Sequence, residues 1–284
     1  MKVHIYYLFL KIIISKLILI LFLISFKYNK KKENFYVTLT SWKGRINFIY
    51  KNLERLLNNN IQPKKLILNL AIEEFPKKNL ELPKKLLYLL KKYNNFQIFW
   101  VEKNINIFKK LIPSLNRFKN DLIIAVDDDI LYPYNLFENM LKCYKLLGGN
   151  NPISFGKKTS DWEINGKIIY SHYGGGSVVK YKYYNNKINE IFQNTTKDRI
   201  SKGIKCPDDV LYTYAALLNG YKYKRCKKYV IKVNPYIPEN MSKPFSEYNN
   251  NYSQLYHQYH YIIRKYIKNT FNKTIENIIE KIEN

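Results

Sequence analysis

The sequence predicts an α/β fold: a mostly parallel sheet flanked by helices, with an N-terminal membrane helix ahead of it. Three observations predict it. From Phe35 to Gly149, short β-rich apolar runs alternate with longer runs of helical period, in the order β-α-β-α-β-α-β-α. Such alternation builds parallel sheets covered by helices on both faces. The fourth β run, Leu122 to Val126, is apolar without a break, the pattern of a strand buried on both sides. Finally, residues 3–26 are apolar apart from His4, Lys11, Lys16 and two serines.

The apolar N-terminal stretch reaches about the 20 residues that a spanning helix needs. Its uninterrupted part, Leu17 to Phe26, is ten residues long. No small-residue cleavage site follows, and the chain runs straight into Lys27, Lys30, Lys31 and Lys32. It therefore reads as an uncleaved anchor rather than a signal peptide, with an interfacial helix as second choice. Four lysines follow the stretch and three lie on its N-terminal side, so the positive-inside rule places the main domain in the cytoplasm. Residues 1–34 are thus expected to be an anchor and basic linker, 35–252 the main domain, and 253–284 a basic amphipathic helix.

Within the main domain, Phe35 to Thr40 reads as a strand ended by Ser41, Trp42, Lys43 and Gly44. Arg45 to Leu57 is helical, with Ile46, Ile49, Leu53 and Leu56 on one face. Lys65 to Ala71 is a strand, and Leu82 to Tyr93 a helix with Pro83 in its first turn. Phe96 to Val101 is a strand, and Ile107 to Phe118 a helix perturbed by Pro113. Pro133 to Leu147 follows the apolar strand as a helix stopped by Gly148 and Gly149. Beyond it come shorter strands, a glycine run and one clear helix, Pro207 to Asn219. The C-terminal helix carries a stripe of Tyr256, Tyr259, Ile263, Tyr266 and Ile267, which reads as packing, with membrane docking as the lesser option.

The 284 residues hold 48 Lys plus Arg against 22 Asp plus Glu, a formal charge of +26. Such an excess suggests a polyanionic partner. Yet 42 of the 48 are Lys, and Lys, Asn, Ile, Tyr and Phe make up 154 residues, all with codons rich in A and T. Much of the charge is therefore codon bias, and Arg, the usual residue for bidentate base and phosphate contacts, is scarce. No nucleic-acid partner is expected. Seven of the positive charges, with no acid, lie in residues 1–32, which suits an anionic membrane surface.

Cys143, Cys206 and Cys226 form no CxxC pair and are odd in number, so a disulfide framework is not expected and a reducing compartment is. His257 and His260 read as polar surface residues of the tail helix. The sequons at Asn194, Asn240, Asn251 and Asn272 are the chance yield of 34 asparagines.

Ligands of open α/β sheets bind outside the carboxyl ends of the strands. That rule selects Ser41 to Arg45 and Asp127 to Asp129. The acidic triplet is the most informative feature of this cationic chain. Adjacent carboxylates repel and raise one another's pKa unless something neutralises them. Mg²⁺ or Mn²⁺ does so with few protein oxygens plus phosphates. Strand periodicity lets Asp127 and Asp129 face the same way. The plain alternative is a solvated turn before Pro133.

VDDDI, Val126 to Ile130, followed by Tyr132 and Pro133, resembles the DxD motif of GT-A glycosyltransferases. More widely, residues 35–226 resemble a bacterial family 2-like branch of these enzymes. The segments that carry the likeness are VTLTSWKGRI, KLIPSL, AVDDDILYP, HYGGGSVV and PDDVLYTYAALLNG. The resemblance implies a GT-A-like, Rossmann-like catalytic domain that uses Mn²⁺ or Mg²⁺ and a nucleotide-sugar donor. It implies a glycan or lipid-linked glycan acceptor of the lipopolysaccharide or capsule type, and inversion at the transferred sugar is inherited from the resemblance alone. Asp127 would contact the ribose or the metal, Asp129 would bind the metal, and Asp128 could replace either. Thr38, Thr40, Ser41 and Arg45 would sit by the nucleotide, or else serve as turn chemistry. Lys110 would lie near the donor phosphates, or on a solvated helix face. Gly175 and Gly176, with Gly174, would approach the donor sugar. Asp209 or Asp208 would take the proton from the acceptor, with Asp209 preferred; acids in a first turn also simply complement a helix dipole. Cys206-Pro207 departs from the small residue expected ahead of this acid pair. Trp42 and Trp162 are candidates for stacking or for packing.

Two other classes compete. A metal-dependent nucleotidyl or phosphoryl transferase also uses clustered acids, but no Walker-type loop is present. A basic membrane- or nucleic-acid-binding protein accounts for the charge and not for three aspartates at a strand end.

Overall fold

The computed structural model describes residues 11–18, 31–156, 162–173, 175–204, 207–229 and 252–283. Seven strands form the central sheet: β1 (Phe35–Thr40), β2 (Lys65–Ala71), β3 (Phe96–Val101), β4 (Leu122–Ala125), β5 (Ile153–Ser154), β6 (Ser177–Val179) and β7 (Lys224–Arg225). Their order is β7-β5-β6-β4-β1-β2-β3. β3, β2, β1 and β4 run parallel, β6 is antiparallel to β4 and β5, and β7 is parallel to β5.

The apolar runs explain this order. Val37, Leu39, Ile67, Leu68, Ile123 and Ile124 are fully buried, so β1, β2 and β4 need cover on both faces. That cover comes from α1 (Tyr50–Leu57), α2 (Lys84–Lys92), α3 (Ile112–Arg117), α4 (Leu136–Leu146), α5 (Lys187–Ser201) and α6 (Asp208–Leu218). Register then sets the site. Thr38 pairs with Ala125, so β1 and β4 end side by side, and Val126 N–H still donates to Thr38 O at 3.0 Å.

The predicted strands 35–40, 65–71 and 96–101 stand as read, while several helices differ. Residues 43–49 form tight turns, and α1 starts only at Tyr50. The amides of Arg45 and Ile46 both bond to Trp42 O, which bends the chain back and frees the Arg45 side chain to turn inward. The run 107–118 divides into a 3₁₀ turn, Asn106–Lys110, and α3, because Pro113 has no N–H and fits only a first turn. Helix α5 was not expected; only Ile188 and Ile191 mark its apolar face. The C-terminal helix is two, α7 (Tyr252–Phe271) and α8 (Ile275–Glu283), broken at Asn272, whose φ is 49°. Its predicted stripe is core: Tyr259, Ile263 and Ile267 are buried against α5 and α6.

Two cysteine and histidine expectations are corrected. Cys143 on α4 and Cys226 after β7 form a disulfide across 83 residues of sequence. The odd count hid one pair, since Cys206 lies outside the described residues. His260 is no surface residue: it packs edge-on to Trp162 at 4.4 Å and bonds Tyr214 OH at 2.8 Å. Among the described residues no helix is long and apolar enough to cross a membrane. Of the expected anchor, residues 11–18 are helical, and 1–10 and 19–30 lie outside the described residues.

Candidate active site

The carboxyl ends of β1 and β4 open into a cleft of 450 Å³. Thr40, Ser41, Arg45, Lys110 and Asp127 to Asp129 line it. Trp42, Glu74, Asn104, Asn106, Ile107 and Lys109 complete the wall. Parallel strands with both faces covered leave no other exit for chain polarity to present loops together.

The acidic triplet is held by two cations. Arg45 Nη1 lies 2.6 Å from Asp128 Oδ1 and 3.2 Å from Asp129 Oδ2. Burial alone would lower the Arg45 pKa, but Asp128 and Asp129 outweigh it and push it up. Lys110 Nζ lies 2.8 Å from Asp127 Oδ1 and 3.0 Å from Asp208 Oδ2. Its side chain is 1% exposed; burial opposes its charge, and the two carboxylates win, pushing its pKa well up. Lys110 is therefore neither on a solvated helix face nor free in the cleft. It ties the triplet to the acid pair on α6.

Two cations do not neutralise this cluster. Burial, then Asp127 and Asp128, push Asp129 up to about 7. Asp127 and Asp129 side chains are 28% and 23% exposed, and Asp128 is 6%. The two outer carboxylates thus face the cleft, while Asp128 faces Arg45. Among the described residues no three His, Cys, Asp or Glu side chains converge into a metal cage. The donor set still fits Mg²⁺ or Mn²⁺: two accessible carboxylates with surplus negative charge, the other oxygens coming from phosphates and water.

Asp208 and Asp209 occupy the first turn of α6. Asp208 is committed to Lys110. Asp209 is pushed up to about 7, first by burial and then by Asp208, against the pull of its own and Val210's amides and of Tyr256. Tyr256 OH on α7 donates to Asp209 Oδ2 at 3.4 Å.

Some predicted residues act from behind the cleft. Thr38 is fully buried, and its hydroxyl donates to Lys110 O at 2.6 Å, so it fixes the lysine's backbone and does not face a ligand. Gly175 and Gly176 do not line the cleft. Gly175 O accepts from Tyr132 OH at 2.7 Å, and the Tyr132 hydroxyl oxygen in turn accepts Asp127 N–H at 2.9 Å. Gly174 lies outside the described residues. Trp42 is 41% exposed in the cleft, whereas Trp162 is packed.

The sequence reading missed Asn52, Tyr132, His172 and Tyr256. Asn52 donates to Asp127 O at 2.9 Å and is wholly buried, an oddity for a helix residue that spacing alone could have flagged. His172 is kept neutral by burial, then by Lys110. The wall pair Lys109–Glu74, at 2.6 Å, had no signal beyond Lys109 preceding Lys110.

No family model matches the chain, and no curated protein does. Among solved structures, Staphylococcus aureus TarS 1–349 in complex with UDP is similar, with a TM-score of 0.49 and 13% identity over 86% of this chain and 74% of that one. The mannosyltransferase PcManGT from Pyrobaculum calidifontis, in complex with GDP-Man and Mn²⁺, has a TM-score of 0.45 and 12% identity, over 75% of this chain and 59% of that one. The glycosyltransferase GlyE of Streptococcus pneumoniae TIGR4 has a TM-score of 0.43 and 13% identity, over 82% of this chain and 51% of that one. The chain spans 36% of the longer S. aureus TarS structure. These are likenesses of fold at low identity.

Proposed function

We propose that the chain is a glycosyltransferase that moves a sugar from a nucleotide-sugar donor to a glycan or lipid-linked glycan at a membrane surface. One observation carries this reading. A single buried lysine joins Asp127, in a cleft at the sheet's carboxyl edge, to Asp208 on α6, the neighbour of Asp209, whose carboxyl group is pushed up to about 7. Donor binding and proton removal are thereby held at a fixed separation.

The nucleotide diphosphate enters beside Thr40, Ser41 and Arg45. Asp129 and Asp127 are the residues that would hold Mn²⁺ or Mg²⁺, which would supply positive charge to the departing diphosphate. Arg45 keeps Asp128 and Asp129 oriented, and Trp42 offers a ring face on the same wall. Asp209 takes the proton of the acceptor hydroxyl. The hydroxyl oxygen bonds to the anomeric carbon as the bond to the phosphate oxygen breaks, its electron pair leaving with the nucleotide. One displacement inverts the anomeric carbon. Residues 1–32, with seven lysines and no acid, bring the domain to an anionic surface.

The test measures nucleotide release from UDP-, GDP- and CMP-sugars (UDP, GDP and CMP respectively) with and without Mn²⁺. One donor should turn over, Asp129→Ala should abolish the metal response, and Asp209→Asn should cost roughly 10²- to 10⁴-fold while nucleotide binding persists. Pyrophosphate release from a nucleoside triphosphate would instead select nucleotidyl transfer. Silence with every donor, or Asp129→Ala without effect, refutes the proposal.

A further inference from the structure

Asp209 sits where three chain segments meet. Its helix is α6. A β-ribbon, Trp162–Ile164 paired with Lys167–Ile169, brings Trp162 to one side. Helix α7 brings Tyr256 and His260 to the other. Trp162 Nε1 donates to Tyr256 OH at 2.6 Å. An indole N–H can only donate, so the Tyr256 oxygen is the acceptor of that bond. The phenol hydroxyl donates to Asp209 Oδ2, 3.4 Å away, since an ionised carboxylate can only accept. Aromatic packing fixes the arrangement: Tyr256 lies 4.7 Å from the His260 ring, His260 lies 4.4 Å from Trp162, and Trp162 lies 5.2 Å from Tyr214. Arg264 and His260 both bond Tyr214 OH, locking α7 onto α6.

Resting on the proposed role of Asp209 as base, we infer that Tyr256 is a positioning residue for it, oriented by Trp162, so that the C-terminal helix completes the acceptor side of the site. The N–H···O–H···O⁻ relay has one polarity only, and it favours the carboxylate. It also fixes the rotation of the carboxyl group about the axis along which an acceptor hydroxyl would approach. A helix that merely closed the core would need the Tyr256 ring and not its hydroxyl.

The titratable groups packed nearest Asp209 are Asp208 and Tyr214 on α6, and Tyr259, His260 and, beside Tyr256, His257 on α7. Asp208 on the same turn is paired with Lys110, itself pushed up by its two carboxylates. On α7, His260 is lowered to about 3 by burial, then by Arg264 and His257, so it stays neutral. Tyr214 on α6 is pushed up to about 12 by burial, and Tyr259 on α7 is pushed up too. Asp129 also titrates near 7, but in the donor cleft.

The experiment compares the whole chain with Tyr256→Phe, which keeps the ring and removes the hydroxyl. Two quantities are read: the ¹³C carboxyl titration of Asp209, assigned by its loss in Asp209→Asn, and the pH profile of donor-dependent turnover. Losing the bond should raise the Asp209 titration by roughly half a unit to one unit. The acid limb of the rate should move with it, a loss of about three- to tenfold below the limb and little above it. Trp162→Phe should act in the same direction, with thermal unfolding near that of the parent as the folding control. An unshifted carboxyl, or a rate loss equal at all pH, overturns the inference while Asp209→Asn inactivity leaves the proposed base standing. A shifted carboxyl with an unshifted rate limb removes Asp209 as the base, and both readings with it.

Discussion

Replacing Lys110 by Met tests the charge architecture directly. The two side chains have similar length, so the substitution removes the ammonium and keeps the packing. Lys110 is 1% exposed and contacts Asp127 at 2.8 Å and Asp208 at 3.0 Å. The Asp208 side chain is 8% exposed and Asp127 28%, so most of the penalty falls on Asp208, which loses its cation out of reach of water. Breaking a buried ion pair from one side costs about 3–5 kcal/mol. For a chain of this size that is a fall of roughly 10 °C in unfolding midpoint. The sign with pH is fixed. In the variant the folded state favours protonated carboxyls, whereas the unfolded chain keeps them ionised above about pH 4. The folded variant therefore binds more protons than its unfolded form, and its stability rises as pH falls. Urea unfolding at pH 7 and pH 5 should show a deficit that narrows in acid. Adding Asp208→Asn should restore much of it, since an amide in place of the stranded charge removes the penalty. Unchanged stability at pH 7, a deficit that widens in acid, or no rescue by Asp208→Asn would refute the reasoning.

Two more outcomes follow from the fold. Cys143→Ser opens a loop closed across 83 residues and should cost about 4–5 kcal/mol in urea unfolding; reducing agent should bring the parent to the same midpoint and leave the variant unmoved. At Gly175, a Cβ would stand 2.7 Å from Ile130 Cδ1 and 2.9 Å from the Tyr173 ring. Gly175→Ala should therefore destabilise by roughly 1–3 kcal/mol, and nucleotide-sugar titration should weaken, because Gly175 O holds the Tyr132 hydroxyl that supports Asp127.

What was legible in the sequence was whatever depends on local pattern. The unbroken apolar run before Asp127 identified β4, and the edge of the sheet followed from strand direction. Arg45 and Asp128, 83 residues apart, meet only because β1 and β4 are neighbours, and no local pattern encodes that. The reading of Arg45 to Leu57 as one helix failed for a related reason. Its apolar spacing is helical, but the Arg45 and Ile46 amides both bond to Trp42 O and residues 43–49 stay in turns, and the Arg45 guanidinium reaches the acids across the sheet. Gly175 is expected from the sequence to approach a donor sugar; its close approach is instead to Ile130 and Tyr173. Tyr256 was invisible as a site residue because its stripe spacing is that of any packed helix, and only the path of α7 across α6 gives its hydroxyl a partner.

The charge balance also decides what the cleft can receive. The sequence argument held that three adjacent aspartates need a neutralising cation. Arg45 and Lys110 answer part of that need, but Lys110 serves Asp208 as well, and Lys109 is spent on Glu74. Five carboxylates, Asp127 to Asp129 with Asp208 and Asp209, thus share two cations; burial first, and then these like charges, push Asp129 and Asp209 up to about 7. A nucleotide diphosphate brings further negative charge to the same wall. At an effective dielectric of 20, each close pair of like charges costs about 4 kcal/mol at 4 Å. Binding of the donor alone should therefore be weak above neutral pH, where Asp129 is ionised. Added Mn²⁺ or Mg²⁺ should strengthen it most at that pH. The basic excess of the chain as a whole does not help, because it lies outside this network; under the proposed function the site would select for a cation that arrives with the donor.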